Sequence, residues 1–187
     1  LKETGQWENT VIVFSGDNGL SLGEHGLFGK QNLYERGGMH VPLVIAGPGI
    51  PHGRTAAFAY LMDLFPTFAK LADAKLPEGV EGQDLLPVIR GEKPSVRPVA
   101  YLGYRDCMRS VSDGRWKLIR YPLVDRTQLF DLTADPHELQ NLAGRPEQAA
   151  KEKELTELLA AEMRRYGDTY PLTVENPAKA EWTPPTQ

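Results

Sequence analysis

The stretch TVIVFSGDNGLSLGEHGLFGK, residues 10–30, changes abruptly from apolar to polar after Phe14. Its first five residues are mostly β-branched, which is typical of a strand buried on both faces of a mainly parallel sheet. The residues that follow are an acid, an amide, a histidine, a lysine and several glycines. Ligands of open α/β sheets bind beyond the carboxyl ends of the strands. The stretch therefore predicts an α/β fold with a ligand-binding loop directly after its first strand.

The sequence that follows this loop predicts a second strand and a helix. VPLVIA, residues 41–46, is another short apolar run of the buried-strand type. The connection from residue 15 to residue 40 is unusually long and glycine-rich, which indicates a functional loop. Apolar residues at helical spacing predict a helix within residues 59–74. Asp63 is the predicted N-cap of this helix, and Pro66 falls in its first turn, where proline is tolerated.

The C-terminal half has a different pattern. A linker rich in Pro, Gly and charge carries one short predicted helix near residues 85–89. Four strands are predicted within residues 97–132, with Asp113 and Gly114 as a two-residue hairpin turn. Residues 146–166 begin with proline and carry an apolar stripe, so they predict a helix that packs on this sheet.

The composition of the chain limits its possible functions. The 187 residues are 41% hydrophobic and 25% charged, enough for one or two modest cores. A net charge of −4 argues against a nucleic-acid partner, because no basic stripe is present to neutralise phosphates. The single cysteine excludes an internal disulfide and any CxxC motif. The apolar runs are too short to predict a membrane span.

Asp17 and Asn18 directly follow the first predicted strand. Their carboxylate and amide oxygens suit a hard cation such as Ca²⁺ or Mg²⁺, whereas zinc favours nitrogen and sulfur ligands. The alternative is an Asx turn that Gly19 completes. Calcium takes about six to eight oxygen ligands, so a calcium site would need further ligands from elsewhere.

His25 and Lys30 lie further along the same loop, among glycines that permit close approach of a ligand. A lysine beside a divalent cation is repelled unless an anion lies between them, which points to an oxyanion such as sulfate or phosphate. The alternatives are a solvated surface lysine and a histidine that only hydrogen-bonds its own loop.

Four blocks of sequence, in order, carry a resemblance to a known family. They are VIVFSGDNGLSLGEHGLFGKQNLYERGGMHVPLVIAGPG, LMDLFPTFAKLADA, SVSDGRWKLIRY and QLFDLTADPHELQNLA. The chain resembles the C-terminal portion of the formylglycine-dependent sulfatases, which belong to the alkaline phosphatase superfamily. The fold that this implies is α/β, a remnant of the superfamily's mixed sheet followed by a smaller α+β subdomain. The expected division is residues 1–95 in the catalytic domain, 96–170 in an antiparallel-sheet subdomain with a helix, and 171–187 in an irregular tail.

The resemblance also assigns roles to the loop residues. Asp17 and Asn18 match the family's calcium ligands, with Mg²⁺ the less favoured ion. Lys30 matches the lysine that contacts sulfate, and His25 lies where many members keep a histidine close to the substrate. Cys107 lies in RDCMRS, which lacks the proline and arginine of the family's C/S-x-P-x-R motif, and we expect it to be a small buried hydrophobe.

The expected function is therefore that of a piece of a sulfuric ester hydrolase. It would carry part of the calcium and sulfate site, lack the formylglycine nucleophile and need the N-terminal portion of the same enzyme as its partner. Two alternatives stay open: a phosphomonoester or phosphonate hydrolase of the same superfamily, and a non-catalytic module. Tyr104, Arg105 and Arg109 are expected near the substrate entrance, and the family suggests a periplasmic or secreted location.

Overall fold

A computed structural model describes residues 1–181, and all structural statements concern this range. It contains eight strands and three α-helices, joined by turns and short 3₁₀ segments. The strands are β1 (Ile12–Ser15), β2 (Ser21–Leu22), β3 (Phe28–Gly29), β4 (Leu43–Ala46), β5 (Ala100–Tyr104), β6 (Met108–Ser112), β7 (Trp116–Tyr121) and β8 (Arg126–Asp131). The helices are α1 (Leu64–Leu71), α2 (Leu86–Ile89) and α3 (Ala149–Arg165).

The chain forms two compact units that are not continuous in sequence. The first unit contains Leu1–Asp17 and Val41–Pro98. The second unit contains Asn18–His40 and the chain from Val99 onward. The long loop thus belongs to the second unit, although the strands on either side of it belong to the first. The predicted division placed all of residues 1–95 in one domain. In the structure, residues 18–40 of that range belong to the second unit.

The first unit confirms both predicted strands and corrects their arrangement. β1 and β4 pair antiparallel, from Ile12 opposite Ala46 to Ser15 opposite Leu43. A mainly parallel sheet was expected, and for this pair that expectation is wrong because strand direction depends on the path of the connecting chain. Burial alternates along both strands, and the Phe14 side chain is 63% exposed in this chain. The expectation of burial on both faces is therefore also wrong here.

Asp63 organises the region around α1 in a way that the sequence did not predict. It lies at the N-cap position, but its carboxylate makes no capping bond to α1. The carboxylate instead accepts hydrogen bonds from the backbone N–H groups of Tyr60 and Gln83. It also forms a buried, two-point ion pair with Arg97, at 2.5 and 2.6 Å. Pro66 lies in the first turn of α1, as predicted.

The second unit is a four-stranded antiparallel sheet with a helix against it, as predicted. The strand order is β5-β6-β7-β8, so each strand pairs with its neighbour in sequence. One face of the sheet packs against α3 in an apolar cluster of Val99, Val111, Leu118, Leu129, Leu155, Leu159 and Met163. Side chains alternate along a strand, so the next residues face the other side, where Met108, Ile119 and Phe130 pack with Leu33 and Tyr34 of the long loop.

The turn between β6 and β7 is shifted by one residue from the prediction. The backbone N–H of Asp113 donates to the carbonyl of Trp116 at 3.1 Å, so Gly114 and Arg115 occupy the centre of the turn. Gly114 has a φ of +95°, a value that side-chain-bearing residues rarely adopt. The hairpin is therefore confirmed, with its register set by the Asp113 and Trp116 pair.

Within residues 1–181, none of the helices combines the length and apolar character needed to cross a bilayer. The predicted tail, 171–187, carries no helix or strand over residues 171–181. Its remaining residues lie outside the described range.

Candidate functional site

The loop of residues 18–40 is built around a very short hairpin. β2 and β3 pair antiparallel, with Ser21 opposite Gly29 and Leu22 opposite Phe28. The turn between them, Glu24–Gly26, holds His25 in the left-handed region, with a φ of +55°. The Glu24 carboxylate accepts a hydrogen bond from the Leu22 backbone N–H at 2.6 Å. This bond is the main cause of the lowered pKa of Glu24.

Buried polar side chains hold the base of the hairpin. Asn32 donates to the Ser21 hydroxyl at 3.0 Å, and that hydroxyl donates to the Gly37 carbonyl at 3.0 Å. The side-chain oxygen of Asn32, Oδ1, accepts a hydrogen bond from the backbone N–H of Tyr34 at 3.1 Å. A side chain at position 38 would collide with Asn32, so glycine is required there for the two chain segments to approach. The start of the hairpin, at Ser21, is therefore joined to the rest of the loop through Asn32 and Gly37.

Tyr34 links the hairpin to the sheet of the second unit. Its ring stacks on the His25 imidazole, with centroids 3.8 Å apart and planes 8° from parallel. Its hydroxyl donates to Oε1 of Gln128 at 3.0 Å, and the Tyr121 hydroxyl donates to the same oxygen at 2.9 Å. Burial, followed by the proximity of Tyr34, raises the pKa of Tyr121.

A second link is ionic. Lys117 of β7 is 1% exposed at its side chain, and its Nζ lies 3.0 Å from Glu35 Oε1 and 3.0 Å from Glu138 Oε1. The other oxygen of Glu138 accepts the backbone N–H of Glu35 at 2.6 Å. Removing charges from water is costly unless they are paired. The Lys117 cluster therefore fixes the loop just beyond Tyr34.

The predicted metal and sulfate residues lie at the start and middle of this loop. Asp17 ends the first of the two segments of the first unit, Asn18 begins the second unit, and both residues are exposed. Lys30 is exposed and directly follows β3, while His25 is partly buried against Tyr34. Among residues 1–181, no three or more His, Cys, Asp or Glu side chains form a group that could hold a metal ion. The structure brings His25 to Tyr34, and the predicted roles of all four residues, Asp17, Asn18, His25 and Lys30, stay predictions.

The three residues expected near a substrate entrance lie in and around the turn between β5 and β6. Arg109 is buried, and its Nε donates to Asp168 at 2.6 Å, a pairing that the sequence did not indicate; its place at the entrance stays a prediction. Arg105 is exposed and Tyr104 is partly buried, and their role stays a prediction. Cys107 is partly buried in the turn before β6, where its thiol donates to the Tyr104 carbonyl at 3.4 Å.

Sequence reasoning missed the residues that hold the loop in place. Lys117 lies in RWKLIRY, which carries two other charged residues, so nothing in the sequence singles it out as the one that is fully buried. Glu138 belongs to the block DPHELQNLA, but nothing local indicates that its carboxylate is buried. The pairing of Tyr34 with Gln128, 94 residues apart, has no local signal.

Comparisons with known proteins agree with this architecture. Residues 23–165 match the family model described as N-sulphoglucosamine sulphohydrolase, C-terminal. The N-acetylglucosamine-6-O-sulfatase of Bacteroides thetaiotaomicron is 35% identical over 185 residues, which cover 91% of this chain and 33% of the relative. The chain therefore spans one third of the length of this curated relative.

Two solved structures share the fold. One is a protein in complex with its substrate D-glucosamine-2-N,6-O-disulfate, with a TM-score of 0.83 and 32% identity over 94% of this chain and 38% of that one. The other is the phosphonate monoester hydrolase of Silicibacter pomeroyi, with a TM-score of 0.78 and 28% identity over 91% of this chain and 38% of that one. The fold is that of alkaline phosphatase-like hydrolases. Within that class, the chain belongs to the sulfatase family and corresponds to its C-terminal portion.

Proposed function

We propose that the complete protein hydrolyses a sulfate ester, and that this chain supplies part of its calcium and sulfate site. The observation that carries the proposal is the match of residues 23–165 to a sulfatase family model. The polar loop after β1 begins just before that match and runs into it. Its residues Asp17, Asn18, His25 and Lys30 are of the types that a sulfate site needs.

Asp17 and Asn18 fit a calcium ion. Both offer side-chain oxygens, both are exposed, and both follow β1 without an intervening bulky residue. A Ca²⁺ ion bound there would supply positive charge for the sulfate oxygens. Two side chains provide only a fraction of the six to eight ligands that calcium takes. We therefore expect the isolated chain to bind calcium weakly, with the remaining protein ligands outside it.

Lys30 and His25 are the proposed sulfate contacts. A sulfate ester carries negative charge on its terminal oxygens, and a lysine ammonium placed against them stabilises charge in the transition state. The imidazole of His25 offers a second hydrogen-bonding group, from the turn of the hairpin. The chain contains no C/S-x-P-x-R motif from which the family's nucleophile is made. We propose that the nucleophile comes from sequence outside this chain, and that the 187 residues alone are inactive.

A phosphonate or phosphate monoester hydrolase is the second candidate. It is supported by the likeness to the phosphonate monoester hydrolase of Silicibacter pomeroyi. Sulfate and phosphate esters have similar tetrahedral geometry, so the same cation and lysine could serve either. The relatives are named for different substrates, so we leave the proposal at the level of the sulfate ester. A non-catalytic role is the third possibility.

Activity measurements on the complete protein separate these candidates. We expect faster turnover of an aryl sulfate than of the matched aryl phosphate or aryl phosphonate, and loss of activity on calcium chelation. Lys30→Ala should lower kcat by about 100-fold, the scale of removing one charge-stabilising contact. Lys153→Ala is the matched control, because Lys153 is 79% exposed at its side chain on α3.

Faster turnover of the phosphorus esters would favour the second candidate. A lack of turnover of all three substrates by the complete protein would favour the non-catalytic module. Hydrolysis by the 187-residue chain alone would contradict our account of the nucleophile, and equal losses in Lys30→Ala and Lys153→Ala would remove Lys30 from the site.

A further inference from the structure

His25 is held in a conformation that it would not adopt by itself. Its φ of +55° is uncommon for a residue with a side chain and is retained where surrounding contacts impose it. The hairpin that carries it pairs only two residues from each strand, and Phe28 within it is 80% exposed. Backbone hydrogen bonds between Gly23 and Leu27 hold the main chain of the turn, but they do not fix the imidazole ring. The stack on Tyr34 is a contact that can fix the imidazole.

Tyr34 is itself a rigid support. Its side chain belongs to the buried cluster on the second face of the sheet, with the Phe130 ring 6.1 Å away at 60°. Gln128 of β8 receives the Tyr34 hydroxyl and the Tyr121 hydroxyl on one oxygen. The Tyr34 hydroxyl is therefore anchored directly to β8 through Gln128, which Tyr121 of β7 also hydrogen-bonds, and the ring is held by apolar packing.

The geometry of the stack leaves the reactive edge of the imidazole outside the contact. At 3.8 Å and 8°, the two rings touch through their faces, so both ring nitrogens of His25 lie along the rim of the pair. A histidine that contacts a substrate oxygen does so through these nitrogens. Face-to-face support thus orients the imidazole without engaging the atoms that would meet a ligand.

We propose that Tyr34 is a positioning residue that holds the His25 imidazole toward the sulfate ester, and that Gln128 and Tyr121 hold Tyr34. The inference rests on the proposed function, in which His25 contacts the substrate. It extends that function from the loop to the antiparallel sheet of the second unit, which thereby supports the chemistry at a distance. Tyr34 acts through His25 and touches no reacting atom.

A spectroscopic test addresses the stack without reference to activity. The proton resonances of His25 in the 187-residue chain should be shifted upfield by the Tyr34 ring. The other three histidines of the chain serve as internal references. Tyr34→Leu should move the His25 resonances toward unstacked values, whereas Tyr34→Phe should keep them shifted. Unchanged His25 resonances in Tyr34→Leu would overturn the proposed contact.

Kinetics of the complete protein test the positioning role. Tyr34→Leu should lower kcat by about 10- to 100-fold, the scale expected for a misplaced group in an active site, with a smaller change in KM. Tyr34→Phe should recover most of this loss because it restores the ring. In a His25→Ala background, Tyr34→Leu should cost less than about twofold, because the residue through which it acts is gone. Tyr166→Leu, which removes a separate stacked pair with Tyr101, is the control.

The results distinguish failure of this inference from failure of the proposed function. If His25→Ala lowers kcat and Tyr34→Leu does not, the positioning role is wrong and the sulfate site stands. If His25→Ala leaves kcat unchanged, the proposed role of His25 fails, and the inference fails with it. An undiminished effect of Tyr34→Leu in the His25→Ala background would show that Tyr34 acts by another route. Should Tyr34→Leu fail to fold, Gln128→Leu keeps both rings, and its effect on kcat should likewise vanish in the His25→Ala background.

Discussion

The two units of this chain differ in how much of an apolar core they contain. In the second unit, Leu118, Leu129 and Leu155 are fully buried, and both apolar core clusters lie there. In the first unit, Phe14 on β1 and Phe65 on α1 are 63% and 53% exposed. A sheet covered by a helix can bury its apolar face, whereas a two-stranded ribbon is marginal by itself.

A buried polar cluster joins separate segments of the first unit. Asp63 accepts two backbone N–H groups and pairs with Arg97, whose guanidinium lies 4.1 Å from the Tyr60 ring centroid. Exposed apolar surface on this scale suits burial against other sequence. Because the relatives are about three times as long, we expect the first unit to be stabilised by the part of the protein outside this chain. The second unit should be stable without it.

The largest predicted effect concerns the polar core of the first unit. Arg97→Met leaves the Asp63 carboxylate buried without its cation, which costs about 3–5 kcal/mol. Hydrogen exchange should show the Gln83 and Leu85 amides, which donate to Asp63 and Thr67, losing at least about 100-fold in protection. Arg54→Met, at an exposed position of the same unit, is the control.

Hydrogen exchange in Arg97→Met also tests whether the two units unfold independently. Amides of β6 and β7 should keep their protection in Arg97→Met if the units are independent. Equal loss of protection in both units would show that they unfold as one body. Our expectation that the second unit is stable without the first would then be wrong.

The next effect concerns the apolar core of the second unit. Leu159→Ala removes a fully buried side chain of α3 and should lower the free energy of unfolding by about 3 kcal/mol. Phe65→Ala, at a half-exposed position of α1, should cost less than about 1 kcal/mol in the isolated chain. Urea denaturation followed by circular dichroism measures both. Similar costs would mean that Phe65 is better buried than its exposure indicates.

The smallest predicted effect is the dependence of second-unit stability on pH. Burial disfavours the charge of Asp168, but hydrogen bonds from Arg109 and Tyr101 outweigh it and lower the pKa to about 2 from an ordinary 3.8. A carboxylate with a lowered pKa stabilises the fold above its unfolded-state pKa, and this contribution disappears as the pH falls through the folded-state value. The loss should therefore occur between about pH 4 and pH 2, and should amount to about 1–2 kcal/mol for this partly exposed group.

Replacing the carboxylate tests this assignment. Asp168→Asn should be less stable than the original chain at pH 6, because Arg109 loses its charged partner. It should also lose less stability between pH 4 and pH 2. Asp106→Asn, at an exposed position of the same unit, should retain the original pH dependence. A full pH dependence in Asp168→Asn would assign the effect to other carboxylates.

Local sequence patterns were sufficient for most of the secondary structure. The strands predicted within residues 97–132, the turn signal around Gly114 and the apolar stripe of residues 146–166 each correspond to an element that the structure contains. The four ordered blocks were likewise sufficient for the family, which the comparisons confirm. These signals work because alternation, helical spacing and turn chemistry are properties of neighbouring residues.

The tertiary structure alone decided how these elements meet. The antiparallel pairing of β1 with β4, the membership of residues 18–40 in the second unit and the burial of Arg109 against Asp168 all differ from or go beyond what the sequence indicated. The stack of His25 on Tyr34 and the ion pair of Lys117 with Glu138 belong to the same group. The sequence determined which chemical groups the loop offers. Their support depends on contacts such as that of Tyr34 with Gln128, 94 residues away, and only the path of the folded chain brings such residues together.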